Sequence, residues 1–552
     1  MRKFRYIIFL LFAAVCAAAQ DHLCERVYVS TDRDVYVAGD ELFLSAFCID
    51  MGTGKMSDCS RIAYIEICSP EGPVQTAKIA LEGGRGGGFL LLDNTIPTGQ
   101  YKLVAYTAQC FNEDGYDFEE GGRLLSIINP FTDARSPAGV EILSDEAYEE
   151  LERPVPEASG SVRLEVDDAL VLTNTSDRPV TLSLSLRHDD GMAAPQAACP
   201  AAFLDGATKG TAFTRCRTID LEGEVVHTRV QTEGENLSGI AGGAAFLSVP
   251  GRSSDFYVSR IGPDGSADFY TRNIRGGTDV VLDVASSASD CHLEVISPFA
   301  AVKASGLPRL PLSPGLAGRI TSRSIAMQMH RAAGADSLYL RPPSPEDYLF
   351  AADSIEYRLD DYTRFPLMEE LFVEFITQVR IVRNRSGLDL VVSLEDTFRP
   401  AASSSIPALV LLDGVPVPDH KSIFDYDPLL VERIVVYPHS VYLGGWIFGG
   451  VVSFVTYKHD LASFRFGDNT RIVRFQGVSS PVCVRDSDAW AGIPNLRRTL
   501  LWYPVVELAP GETRKIEYAA PSYSGTFEAV AEGFDSDGKP QYARMRTELP
   551  AQ

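Results

Sequence analysis

Positive charge is scarce in this chain: 50 lysines and arginines face 74 aspartates and glutamates, a formal net charge of −24 over 552 residues. A phosphate-backbone binder needs a basic surface to release counterions, so the reading expects no nucleic-acid partner. The same deficit argues against attachment to anionic lipid headgroups by simple attraction. Long apolar runs are missing too. Beyond residue 20 nothing approaches 18 uninterrupted apolar residues, so no transmembrane helix is predicted. The absence of any C-x-x-C pair argues against a zinc ribbon or a thioredoxin-type redox site. The eight histidines (His22, His188, His227, His292, His330, His420, His439 and His459) form no H-x-H or H-E-x-x-H arrangement. No G-x-S-x-G elbow and no G-x-x-x-x-G-K-[ST] loop occurs either.

What is present is the composition of a folded, exported, strand-rich protein. Forty-five per cent apolar and 22 per cent charged residues suffice for real cores, and the length predicts roughly three to five domains. Arg2, Lys3 and Arg5 precede a short apolar run, Tyr6 to Val15, and Ala17-Ala18-Ala19 supplies small residues for a signal peptidase. Residues 1–19 are read as a signal peptide, cleaved between Ala19 and Gln20. The rival is lipoprotein cleavage before Cys16, where Val15 fits poorly. Nine cysteines follow (Cys24, Cys48, Cys59, Cys68, Cys110, Cys199, Cys216, Cys291 and Cys483). An odd count leaves at least one thiol free, and spacing cannot fix any pairing. The 45 glycines and 33 prolines carry no period, which suits many short strands joined by turns.

From Val27 to Tyr106, β-branched and aromatic runs alternate with turns such as Asp32, Gly39 and Asp40. Ile62, Tyr64 and Cys68 fall on one strand face; Ala63, Ile65 and Ile67 fall on the other. Strand signals every 8–12 residues predict an antiparallel sandwich. Residues 20–135 resemble the MG2 macroglobulin-like domain of the α2-macroglobulin family. The matches are Tyr36-x-x-Gly39-Asp40 before a strand, the glycine run Gly83 to Gly88, and Thr98-Gly99-x-Tyr101-x-Leu103. The thioester motif of that family's larger members, Gly-Cys-Gly-Glu-Gln, is absent, so a covalent protease trap is excluded. The resemblance then implies a sandwich module acting as spacer or docking surface.

Residues 140–158, rich in Glu and Pro, read as a solvated linker or a short helix. Residues 160–300 read as a second β-sandwich region of one or two modules, with Val180 to Leu186 as an alternating strand and an Asp264-Gly265 hairpin turn. It is similar to small regulatory-type sandwiches of exported Bacteroidota proteins. Residues 301–345, with Leu307-Pro308, Pro311 and Pro342-Pro343, read as a linker.

In residues 346–460, apolar residues at Met368, Leu371, Phe372, Phe375 and Ile376 predict a helix. Strands are predicted at Val379–Val382, Leu388–Val392 and Pro407–Val417, and a short helix enters a strand over Asp427–Tyr437. This order resembles the plug domain of TonB-dependent outer-membrane receptors, through Leu411-Leu412-Asp413-Gly414-Val415, Val431-Glu432-Arg433-Ile434-Val435-Val436, and Gly449-Gly450-Val451-Val452. Asp413, Gly414, Glu432, Gly449 and Gly450 are thus structural motif positions, as are Tyr36, Gly39, Asp40, Gly99 and Tyr101 in the first module. A 22-strand barrel needs about 10 residues per strand, and only 92 residues follow position 460. A barrel in the same stretch is excluded, and residues 461–552 read as a C-terminal β-sandwich.

The fold class expected is therefore mainly β: tandem immunoglobulin- or macroglobulin-like sandwiches with a small α+β plug-like domain. Candidates for chemistry are few. His188-Asp189-Asp190 could pair a base with a carboxylate, and Gly83 to Gly88 could cradle a phosphate, but a polar loop and a hairpin turn are the simpler readings. Asp413-Gly414 reads as a turn needing φ > 0 at Gly414. Asp189, Asp190, Asp425 and Asp427 lack a calcium-loop pattern. No catalytic residue, cofactor or metal is expected. The whole resembles a family of Bacteroidota cell-envelope proteins; the missing active-site signatures and a plug-type module without its barrel lead to the expectation of a non-enzymatic protein of the periplasm, outer membrane or cell surface. Its expected partner is another envelope protein, an outer-membrane β-barrel, in transport, secretion or assembly. The alternatives are a hydrolase or protease-related factor with a fold-assembled carboxylate/His site, and a surface adhesin or stalk.

Overall fold

A computed structural model describes residues 23–551 except 152–154, 193–197, 209, 211–212, 233–236, 238, 252–254, 273, 286–290, 335–352, 385–386, 396–405 and 485–493. The predicted signal segment, with Ala19 and Gln20, lies outside the described residues. The chain is mainly β, as its alternating patterns predict, and divides into two compact units. One comprises Met1–Gly223, Phe299–Pro342 and Val478–Gln552; the other comprises Glu224–Pro298 and Pro343–Gly477.

The first unit begins with a sandwich. In one sheet, Glu41–Asp50 is flanked by Glu25–Thr31 and Arg85–Leu91, with Lys55–Met56 at its end. The facing sheet orders Val35–Val37, Arg123–Ile128, Gly99–Tyr106, Ile62–Ser69 and Gly72–Ala80. Alternate positions Val27, Val29, Leu42, Leu44 and Ala46 meet Ala63, Ile65, Ile67, Leu103 and Ile127 in the core, as a period of two requires. The opposite face of the strand Ile62–Ser69 is also buried: Ile62, Tyr64 and Cys68 pack with Tyr106, Val302 and Ala304.

A seven-stranded sandwich follows, and its two halves are far apart in sequence. Val162–Val166, Leu170–Asn174 and Thr513–Ile516 form one sheet; Thr499–Leu508, Val180–His188, Gly525–Asp535 and Pro540–Leu549 form the other. The predicted C-terminal sandwich over 461–552 is thereby corrected. Its strands complete a sheet begun at residue 180, because Leu182, Leu184 and Leu186 share one core with Leu501, Val506, Phe527 and Ala529. The linker predicted over 301–345 is corrected as well. It holds a 16-residue helix, Ala317–Ala332, whose buried residues are Arg323, Ser324, Ala326 and His330. A polar inner face hides such a helix from any search for apolar periodicity. In the 140–158 stretch, Val140–Ile142 pairs in parallel with Leu310–Leu312, ahead of a short helix, Asp145–Glu149.

The second unit repeats the interruption. Ser266–Tyr270, Val225–Thr232 and Cys291–Val295 form one sheet; Asp255–Arg260, Ala244–Val249, Gly277–Ala285 and Arg471–Gln476 form the other. The region predicted as 160–300 is thus two sandwiches in two units, the first completed by four later strands and the second by one. Between residues 355 and 456 the chain builds an α+β module. Its mixed sheet orders Ile355–Arg358, Val431–Tyr437, Val451–Thr456, Leu409–Leu412 and Val415–Pro416. Helix Met368–Glu374 and a hairpin, Val379–Asn384 with Gly387–Val392, accompany it. Met368, Leu371 and Phe372 bury against Leu412, Ile434, Val452 and Phe454, the face predicted by their spacing. Among the described residues, no helix is long and apolar enough to cross a membrane.

Candidate functional site

The first unit gathers arginines from distant parts of the sequence around one cavity. In the strand Val180–His188 the leucines at 182, 184 and 186 face the core, so Ser183, Ser185 and Arg187 face the other way. Register then sets Arg187 opposite Glu528, and Glu528 opposite Arg546. On this face a cavity of about 110 Å³ is lined by Arg33, Arg123, Arg187, Arg323, Arg544 and Arg546, together with Asp34, Asp189, Asp190, Glu528 and Glu532. Its charges are paired. Arg187 Nη2 donates to Glu528 Oε2 at 2.9 Å, Arg123 Nη2 lies 2.7 Å from Asp34 Oδ1, and Arg546 Nη2 lies 2.8 Å from Asp189 Oδ2. Tyr28 and Ser30 of the first sandwich donate to Glu532 of the second, so the network bridges the two sandwiches. Burial works to raise the Glu528 carboxyl, but Arg187 and Arg544 outweigh it and hold it below the usual range.

A smaller cavity, of about 40 Å³, shares Arg33 and Arg323 with the first and adds Asp40, Glu41, His330, Arg331, Arg497 and Arg498. Arg33 is held by Asp32 at 2.9 Å, Asp40 at 3.2 Å and the Glu41 carbonyl at 2.9 Å. Arg323 donates to the Val35 carbonyl at 2.6 Å and lies 3.4 Å from Asp190. Burial and the like charges of Arg33 and Arg498 pull Arg323 below the ordinary guanidinium value, against Asp190 and Asp40. Arg331 donates to the Gly39 carbonyl.

His188 borders the larger cavity, but not as a general base. A guanidinium can only donate, so Arg498 Nη1 donates to His188 Nδ1 at 3.0 Å and the ring carries its proton on Nε2. Burial, then the Arg498 charge, pushes His188 down to about 4. Asp189 accepts from Gly191 N and pairs with Arg546, while Asp190 accepts from Met192 N and faces Arg323. Neither carboxylate orients the ring.

Of the first-module motif residues, Tyr36, Gly39 and Asp40 stand beside the smaller cavity. Tyr36 hydroxyl donates to Asp32 Oδ1 at 2.8 Å, and Asp40 Oδ2 accepts from Val37 N at 2.9 Å. Gly39, at φ +91°, lies against the helix Ala317–Ala332: a Cβ there would meet Met327 Cε at 3.1 Å and Asn94 Oδ1 at 2.5 Å. Tyr101, buried, donates to the Pro97 carbonyl at 2.6 Å, and Gly99 lies against Ser136, both away from the cavity. The glycine run is half turn and half strand. Gly83 and Gly84 make the turn, while Gly87, within Arg85–Leu91, lets the first sandwich abut Pro504 of the second.

In the second unit, Asp413 is buried at φ +46° and accepts from Thr456 N and Oγ1 at 2.7 Å each and from Leu461 N at 3.0 Å. Gly414 follows it at φ +81°. Glu432 is half-buried beside a bulge in Val431–Tyr437. Gly449 and Gly450 lie against the Ile406 and Tyr437 carbonyls. Asp427 caps a 3-10 turn through Leu429 N at 2.9 Å, and Asp425 ends the helix Lys421–Phe424. Among the described residues, no group of three or more His, Cys, Asp or Glu could hold a metal ion. What sequence reasoning missed is the arginine set. Arg323, His330 and Arg331, at i, i+7 and i+8, form a basic helical stripe that was there to be read.

No protein-family model and no curated protein matches the chain. Among solved structures it is similar to native E. coli alpha-2-macroglobulin at 9% identity and TM-score 0.23, over 97% of this chain and 40% of that one. It is similar to a Salmonella alpha-2-macroglobulin at 11% identity and TM-score 0.20, over 96% and 40%. A tetra-tandem repeat from the extending region of a large adhesion protein gives 10% identity and TM-score 0.12, over 96% and 100%. The chain spans about 40% of the length of these macroglobulins. Likenesses this distant assign neither family nor function.

Proposed function

We propose that this is a non-enzymatic, exported cell-envelope protein that docks onto another envelope component, an outer-membrane β-barrel, through its α+β module. The observation that carries the reading is a two-stranded ribbon in that module, Val441–Leu443 with Trp446–Phe448. Its inner face is satisfied: Val441 packs with Phe256, Leu409, Leu411 and Val451. On its outer face Tyr442 and Ile447 stand directly opposite each other, 67% and 43% exposed. Contiguous exposed apolar side chains are the kind of surface that a partner protein covers. The plug-like order of the surrounding motifs supports a barrel as the partner. The non-enzymatic reading draws support from His188, whose Nδ1 is taken by an arginine instead of facing a carboxylate.

A photo-crosslinking residue placed at Tyr442 in the native host tests the proposal. An adduct with an outer-membrane barrel protein is expected after solubilisation. Adducts with soluble proteins only, or the bare chain alone, would overturn it.

A further inference from the structure

We propose that the smaller cavity of the first unit binds a small oxyanion, a phosphate, sulfate or carboxylate group, gripped by Arg323, Arg331 and Arg498. The proposal goes beyond the docking role and does not depend on it. Charge balance points to it first. The larger cavity is saturated, each of its strand-borne arginines facing a carboxylate. In the smaller one, Arg33 has Asp32 and Asp40, and Arg323 shares Asp40 at 3.9 Å and Asp190 at 3.4 Å. The hydrogen-bond and ring partners of Arg331 and Arg498 carry no charge. They are the Gly39 carbonyl for one, the His188 ring nitrogen and the Tyr523 ring (5.2 Å) for the other. The Asp190 carboxylate acts on Arg498 without an ion pair between them. In a chain with a net charge of −24, two guanidiniums held against neutral groups on one cavity wall are an anion's counterpart.

Unused donors are the second observation. Arg323 is 3% exposed, and its Nε has no acceptor among the described residues; Nε of Arg498 is likewise buried without one. A buried donor left unpaired costs about 1–3 kcal/mol, and more when charged, so a bound oxyanion would recover what the fold forgoes. Size is the third. A water needs about 10–15 Å³ of such space, so about 40 Å³ holds roughly three waters or one compact anionic group. His188 acts as a positioning residue: its Nδ1 fixes the Arg498 guanidinium while, neutral, it adds no charge of its own.

The test uses the whole protein at constant ionic strength, titrated with sodium phosphate, sulfate or acetate against sodium chloride, and read by thermal melting and calorimetry. A saturable rise in melting temperature with an oxyanion, absent with chloride, is expected; the rank of phosphate, sulfate and acetate separates tetrahedral from planar ligands. Arg498→Gln and Arg331→Gln should each weaken the apparent affinity about tenfold or more while keeping the far-UV spectrum of the parent. Arg514→Gln, at a surface pair with Glu512, should leave it unchanged. The proposal is overturned if no oxyanion gives a saturable shift, or if both cavity variants respond like the parent or Arg514→Gln loses the response as well.

Discussion

The α+β module of the second unit and the seven-stranded sandwich of the first solve the same problem with opposite use of the chain. The module closes its core between residues 355 and 456 with its strands, helix and turns all supplied locally. The sandwich begins at Val162, stops at His188 and resumes only at Thr499. Polar chemistry follows the same division. Asp413 is satisfied by Thr456 and Leu461, 43 and 48 residues later in the same module. The arginine-lined cavities draw on residues 33, 123, 187, 323, 498 and 544, a set that no contiguous stretch supplies. Local closure gives a module whose motif residues serve its own backbone; distant closure gathers charges that no short motif could.

Three experiments press on that contrast. The largest effect is expected from Trp502→Ala. Trp502 is fully buried in the late half of the split sandwich and stacks on Phe43 of the first sandwich, with centroids 6.1 Å apart. Its truncation should cost about 3–5 kcal/mol and raise hydrogen exchange in Val180–His188 while sparing Val451–Thr456. Equal loosening of both would break the comparison. Asp413→Ala is its mirror. It strips the acceptor from three donors and should cost about 3 kcal/mol, seen as faster exchange in Val451–Thr456 with Val180–His188 unchanged. The smallest effect is a pH slope. His188 sits at about 4 when folded against 6.5 when exposed, so between these values the unfolded chain binds the extra proton and stability rises with pH. Glu528, held low by Arg187 and Arg544, adds a loss in the same direction as pH falls through the acidic range. Urea midpoints of the first unit should therefore be lower at pH 5 than at pH 7, and His188→Gln should flatten that difference.

The readable parts of the sequence were those whose partners lie close by. Helix Met368–Glu374 was legible because Met368, Leu371 and Phe372 make an apolar stripe. The strand Ile62–Ser69 was legible because alternation is a local property, although alternation alone could not reveal that both of its faces are covered. Helix Ala317–Ala332 escaped because its inward residues include Arg323, Ser324 and His330, which look like solvent-facing text. The separate C-terminal sandwich was a natural misreading. Thr499–Leu508 and Gly525–Asp535 carry good strand patterns, but a strand's sequence does not name its neighbour. The candidate site was legible only in pieces: Tyr36, Gly39 and Asp40 beside the smaller cavity, and His188, Asp189 and Asp190 on the wall of the larger one.

The strand Val180–His188 has both of its hydrogen-bonding neighbours, Thr499–Leu508 and Gly525–Asp535, on the far side of roughly 300 later residues. At ribosomal speeds of about 5–20 residues per second, both its edges and its leucine face wait roughly 15–60 s for their mates after they emerge. During that interval Leu182, Leu184 and Leu186 lack the partners that bury them, and unpaired apolar strands of this kind are the surfaces through which incomplete chains associate.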